Sequence, residues 1–296
     1  ALTTGDYNTV VGHKAGDSIT TSGYNTLLGD QAAAGLVNGG GTNVAIGYQP
    51  LYSGTSNSYV VAIGSRAGYY STANYNVYVG NSAGRESRAG IEQTYIGKNA
   101  GYYATGSYNT FVGSDAGKGG TTSAPFSSGE KNVAMGYEAL RYFTTGNNNV
   151  AIGYKAGRLI TTAINSVAVG TGAADDATTG GQFVAIGAAA AGTVTTDSNY
   201  VAVGYSAGQN WVSGIGARYN TALGYAANTN GGPGIHVTAI GANAGMYATG
   251  SYNTFVGSDA GKGATTSAPF SSGQNNTAVG YKALTAFTTG GSNTAI

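Results

Sequence analysis

The residues able to do bond-breaking chemistry are few and far apart. The two histidines, His13 and His236, stand many residues apart in repeat-equivalent surroundings and cannot share a site within one chain. Asp175-Asp176 is the only adjacent carboxylate pair and reads as a solvated turn, while Asp115 and Asp259 occupy the same position of a repeat. A nucleophile, its base and an orienting group must lie within hydrogen-bond reach of one another, and nothing here supplies such a set. Gly39-Gly40-Gly41 and Gly214-Ile215-Gly216 resemble phosphate loops, but no helical pattern follows either one. With no cysteine and no Gly-Gly-x-Gly-x-Asp calcium signature, the expectation is a non-enzyme with no cofactor and no metal site.

Contact chemistry is the remaining possibility. Trp211, the single tryptophan, stands near Arg218 and Tyr219, and an aromatic face beside hydrogen-bonding groups suits a sugar. The competing reading, and the favoured one, has Trp211 plugging a coil edge or a groove between chains. Phe126 and Phe270 offer a second candidate contact, again with packing favoured. Tyr69-Tyr70, Tyr102-Tyr103 and Tyr142-Phe143 read as core or interchain packing on a second strand.

All of these residues are set on a repeat. Asn149-Val150-Ala151-Ile152-Gly153-Tyr154-Lys155-Ala156-Gly157 is one copy of a unit that spans the chain. Its first glycine recurs at 12, 29, 47, 64, 80, 97, 113, 136, 153, 170, 187, 204, 224, 241, 257 and 280, including Gly12, Gly47, Gly113, Gly204, Gly257 and Gly280. Twelve of the fifteen intervals are 16 to 18 residues, so a crossover helix of ten or more residues does not fit between strands. Insertions lengthen the coils at 113–136, 204–224 and 257–280. Such insertions emerge as loops, where binding tends to sit. Residues 101–130 and 245–274 match at 27 of 30 positions, a block duplication. We index each coil by its glycine.

The residue before that glycine is aliphatic or Met, and the residue two earlier is Val or Thr, as in Ile152 and Val150. A strand places these two on one face and the intervening residue, here Ala151, on the other. Both faces are apolar, so the strand is expected to be buried on both sides. Val150 and Ile152 are expected to fill the coil, with Ala151 against a neighbouring chain. Ala156, three residues after the glycine, recurs as Ala in fifteen of sixteen copies and is expected to line a tight second strand. The prediction is an all-β parallel roll of about 16–17 two-stranded coils in a single domain, 1–296, reading as a segment of a longer fibre.

Glycine is 52 of 296 residues and charged residues are 8%, against a usual ~25%. A formal net charge of +1 gives no footprint for nucleic acid, and no apolar run approaches the ~18 residues of a membrane helix.

The Asn-Val-Ala-Ile-Gly-x-x-Ala unit resembles the head repeats of trimeric autotransporter adhesins, the YadA-like family. The Thr-Thr-Gly-x-Asn-Asn-Thr-Ala-Ile-Gly-Tyr-x-Ala-Leu variant resembles bacteriophage tail-fibre repeats. The resemblance implies a left-handed parallel β-roll assembled as a homotrimer, in an extracellular fibre on a virion or a bacterial surface. The implied function is a structural and adhesive rod, most simply of a tail fibre or related surface fibre that contacts a cell-surface glycan or protein receptor. A bacterial adhesin head and an ice- or polysaccharide-binding solenoid are the alternatives.

Overall fold

The computed structural model describes residues 5–37, 41–122, 126–211, 218–264 and 270–296. They fall into two compact units, residues 1–148 and 149–296. The first carries β1 (Thr9–Val11), β2 (Thr26–Leu28), β3 (Val44–Ile46), β4 (Val61–Ile63), β5 (Val77–Val79), β6 (Thr94–Ile96), β7 (Thr110–Val112) and β8 (Val133–Met135). The second carries β9 (Val150–Ile152), β10 (Val167–Val169), β11 (Val184–Ile186), β12 (Val201–Val203), β13 (Thr221–Leu223), β14 (Thr238–Ile240), β15 (Thr254–Val256), β16 (Thr277–Val279) and β17 (Thr294–Ala295). No helix occurs among the described residues. Each unit is a parallel β-solenoid, and together they make about 16 turns of ~17 residues.

Register is in phase throughout each ladder: Val44 pairs Val61, Ala45 pairs Ala62 and Ile46 pairs Ile63. The insertions leave it unchanged, with Thr110 opposite Val133, Val201 opposite Thr221 and Thr254 opposite Thr277. A one-residue slip would exchange the two faces of the strand, so the alternation itself holds the register.

Each coil has one strand, not the two expected. After the glycine the chain enters the left-handed region twice, at Lys155 (φ 56°) and Gly157 (φ 54°), which an extended strand does not permit. The segment instead stacks as interlocked turns. Its backbone still bonds coil to coil, with Gly157 N–H donating to Ala173 C=O at 2.9 Å and Leu159 N–H to Asp175 C=O at 3.0 Å.

The faces of the strand are also the reverse of the expectation. Ala151 is fully buried inside the coil, Val150 is half-buried, and Ile152 is 36% exposed on the outer face. The reason is the narrowness of the coil. Its opposite wall is the Ala-Gly turn: a Cβ built on Gly157 would lie 3.6 Å from the Ala151 methyl and 2.7 Å from Ile160 Cδ1, so a methyl suffices at mid-strand where Ile160 already fills the interior. Ala156, as expected, lies within this interior.

Larger groups enter the interior from several positions, among them Phe183 and Tyr200 from four residues before the index glycine. Tyr78, Tyr95, Phe111 and Phe255 come from mid-strand, whereas Ile19, Leu36, Phe143, Ile160 and Trp211 come from the seventh residue after the index glycine. Where Tyr78 fills the space, the seventh-position residues around it are Ser71 and Ser87, and a Cβ built on Gly84 would lie 2.3 Å from its ring. The small side chains around Tyr78 make room for its ring, as close packing requires.

Asparagine before the strand holds the corner. Asn132 donates its amide to Gly146 C=O at 2.9 Å, and its own N–H is received by Asn109 Oδ1 at 2.9 Å. Asn43 adds the amide-to-amide contact expected of a stacked ladder, to Asn25 Oδ1 at 3.0 Å. Each such bond contributes about 1 kcal/mol and satisfies a backbone group in a buried corner.

Candidate ligand-contact surface

Trp211, Arg218 and Tyr219 do not share a face. Trp211 is seven residues after Gly204, the position of Ile160 in the Gly153 coil, and it points inward with 1% of its surface exposed. It meets Tyr200 edge-on, with ring centroids 5.5 Å apart and planes at 79°. Arg218 is fully buried, donating from Nε to Asp197 Oδ2 at 2.7 Å and from Nη1 to Gly232 C=O at 3.1 Å. Desolvation lowers its pKa and the Asp197 carboxylate opposes that shift. The next residue, Tyr219, alternates outward and is 55% exposed. The sugar platform drawn from these three residues is therefore corrected: two of them are interior. Val212, Ser213 and Gly214 of that insertion lie outside the described residues. So do Ile215-Gly216 of the second phosphate-loop look-alike, Gly39-Gly40 of the first and most of the Thr-Ser-Ala-Pro segments before Phe126 and Phe270.

Tyr219 belongs to a column of its own. Its ring stacks on His236 at 5.0 Å, and His236 stacks on Tyr252 at 5.1 Å. Rings stacked along a ladder cover each other's faces and leave only edges to solvent. His236 thus precedes a strand, whereas His13 follows an index glycine and bonds Asp30 at 2.8 Å. The two histidines occupy different columns, not equivalent ones. Asp175 is held by Arg158 through a two-point pair at 2.7 and 3.3 Å, and burial followed by the charge of Asp175 pushes the Asp176 carboxyl up. No cluster of three or more His, Cys, Asp or Glu side chains that could hold a metal occurs among the described residues.

The duplicated blocks reproduce each other closely. Phe126 stacks on Tyr103 at 5.8 Å and Phe270 on Tyr247 at 5.9 Å, both at 19°. Their surroundings differ. In the first unit Arg88 sets its guanidinium 5.2 Å from the rings of both Phe126 and Tyr70. Arg85 lies 5.5 Å from Tyr69, and 5.4 Å from each of Tyr70 and Tyr102, and donates to the Tyr102 hydroxyl at 2.5 Å. Glu86, nearly buried, ion-pairs with both arginines at 3.1 Å. The corresponding residues of the second copy are Thr229, Asn230 and Gly232, with Met246 for Tyr102.

The tyrosines of this cluster are the fifth and sixth residues after Gly64 and Gly97, with Arg85 and Glu86 at the same positions of the Gly80 coil between them. They are half-buried on the turn side of the coil, not on a second strand. Burial, then the neighbouring phenols Tyr70 and Tyr52, raises the pKa of Tyr69; burial and Tyr102 do the same to Tyr103. These phenols stay neutral donors at physiological pH. An open cleft of about 380 Å³ is lined by Lys14, Asp17, Gln31, Gly35 and Tyr52 among others, and Tyr52 stacks on Tyr69 at 5.0 Å. Tyr142 and Phe143 split in the same way as Arg218 and Tyr219, one 36% exposed and the other fully buried.

Compared with family models, with curated proteins and with solved structures, the chain matches none.

Proposed function

We propose that this chain is the structural and adhesive rod of a homotrimeric fibre, a phage tail fibre or related surface fibre that contributes to host or surface attachment. The observation that carries the reading is the outer face of the strand ladder in each unit. Val11, Leu28, Ile63, Ile96 and Met135 in the first, and Ile152, Ile186, Leu223 and Val279 in the second, are each 36% to 57% exposed. Alongside them runs the half-exposed Val/Thr column. A continuous apolar stripe of this kind is costly in water at about 25 cal/mol per Å², and a second copy of the same chain offers a matching stripe in the same register. Three copies are taken from the resemblance to trimeric head repeats.

A flat Thr array for ice would need Thr in both outward columns. Thr221, Thr238, Thr254 and Thr277 fill one column, but Leu223, Ile240, Val256 and Val279 fill the other. Sedimentation equilibrium tests the assembly: a trimer of this 29.3 kDa chain is expected. A folded monomer at micromolar concentration overturns the reading.

A further inference from the structure

We propose that the Arg88 cluster of the first unit is a binding site for an acidic saccharide, its carboxylate or sulfate held by Arg88 and its ring set against Tyr70, Tyr103 and Phe126. The proposal deepens the adhesive reading by naming a ligand class, and it rests on that reading only for its biological context.

The chemistry starts from how the guanidinium is held. A guanidinium has five N–H donors in one plane, and contact through its face with aromatic rings uses none of them. Arg88 makes one side-chain hydrogen bond among the described residues, from Nη2 to Glu86 Oε2 at 3.1 Å, and its side chain is 53% exposed. Its remaining donors form a fork matched to a carboxylate or sulfate. Glu86 and the rings on either side orient that fork in advance, which reduces the ordering cost of binding. Arg85 Nε is buried and has no hydrogen-bond partner among the described residues. With Arg85 and Arg88 against Glu86 the cluster carries a net positive charge, which selects an anion. Tyr103 and Phe126 stack on each other and supply apolar ring edges beside the fork, and the phenols supply donors.

The coils that precede the two duplicated blocks allow a comparison. Tyr247 and Phe270 repeat the aromatic pair, but Thr229 and Gly232 replace the two arginines. Scaffold packing therefore does not require the arginines. The cations that follow Arg85 in its column are each paired, Lys118 with Asp115 and Arg141 with Glu138, which together with a formal net charge of +1 argues for a single anionic group and against a nucleic acid backbone.

Isothermal titration with the whole chain tests the site, using oligogalacturonate, a heparin-derived oligosaccharide, maltohexaose and oligo(dT) as probes. The expected result is binding of one or both acidic oligosaccharides, weakened by salt, and at least tenfold weaker for Arg88→Ala. Arg88→Lys should recover only part of the loss, because an ammonium cannot reproduce the planar fork. Equal binding of maltohexaose, tighter binding of oligo(dT), no binding of either acidic probe, or an unaltered Arg88→Ala variant would each overturn the proposal. Sedimentation of the same samples separates the two readings: a trimer that binds neither acidic probe loses the site and keeps the fibre, and a monomer that binds one does the reverse.

Discussion

At the scale of the residue, the repeat is a compromise between backbone geometry and side-chain need. Among the described residues forty non-glycine positions have positive φ, including Thr42 at 60°. A β-branched residue in that region is a genuine outlier and costs about 1–2 kcal/mol. Thr42 is exposed, so replacing it removes strain without opening the core. Thr42→Gly is expected to stabilise the chain by roughly 0.5–1 kcal/mol after the entropy cost of glycine. The index glycines have the opposite character. At Gly153 (φ +131°) a Cβ would lie 2.7 Å from the Gly170 carbonyl oxygen of the next coil, whereas at Gly280 the nearest atom is 3.9 Å away. Gly153→Ala should therefore destabilise by more than Gly280→Ala. Urea midpoints measure both effects, and a destabilised Thr42→Gly or matched alanine variants would contradict this account of the turns.

At the scale of the element, one coil is a shell around a narrow interior filled by a few large groups. Tyr78 is such a group, with its hydroxyl 2.8 Å from Ser87 Oγ and 2.8 Å from Gln93 Oε1. Burial pushes its pKa up to about 12, the Ser71 and Ser87 hydrogen bonds opposing. An unfolded phenol ionises near 10, so above that pH the unfolded chain binds fewer protons than the folded one. Stability from Tyr78 is thus fully present below pH ~10 and falls as pH rises through about 12, by roughly 2–3 kcal/mol. Tyr78→Phe should lower stability at pH 7, since Gln93 loses a partner, yet flatten the decline between pH 10 and 12. A decline of unchanged slope in denaturant titrations would show that the phenol is not the responsible group. Much of this element was legible from spacing. Trp211 lies in phase with Ile160, seven residues after its glycine, which marks it as interior even beside an insertion. The Arg85, Tyr69 and Tyr102 contacts follow from the same phase. Arg88 meeting Phe126 does not, because Phe126 sits in an insertion that breaks the count.

At the scale of the whole molecule, the question is which apolar surface meets another chain. Ile152→Lys is expected to leave β circular dichroism intact while preventing formation of the proposed trimer. Ala151→Lys should instead unfold its coil, because an unpaired ammonium in a fully buried site costs several kcal/mol. Assembly that survives Ile152→Lys would remove the outer strand face as the interface.

The sequence by itself determined the period, the number of coils, the in-phase register and the need for glycine after each strand. These follow from local geometry: a short strand, a turn and no room for a helix between them. It could not determine which strand face is inside, because both faces are apolar and an alternation of two assigns residues to opposite sides without labelling them. Only the tertiary structure decided that, through the distance from each strand to the turn wall behind it. The mid-strand residue faces that wall in every coil, Ala151 beside Ile160 and Tyr78 beside Ser71 and Ser87, and the Ile152 face is left exposed. The same cause governs the candidate site, since the turns that close the coil are also what bring Arg88 against Tyr70 and Phe126.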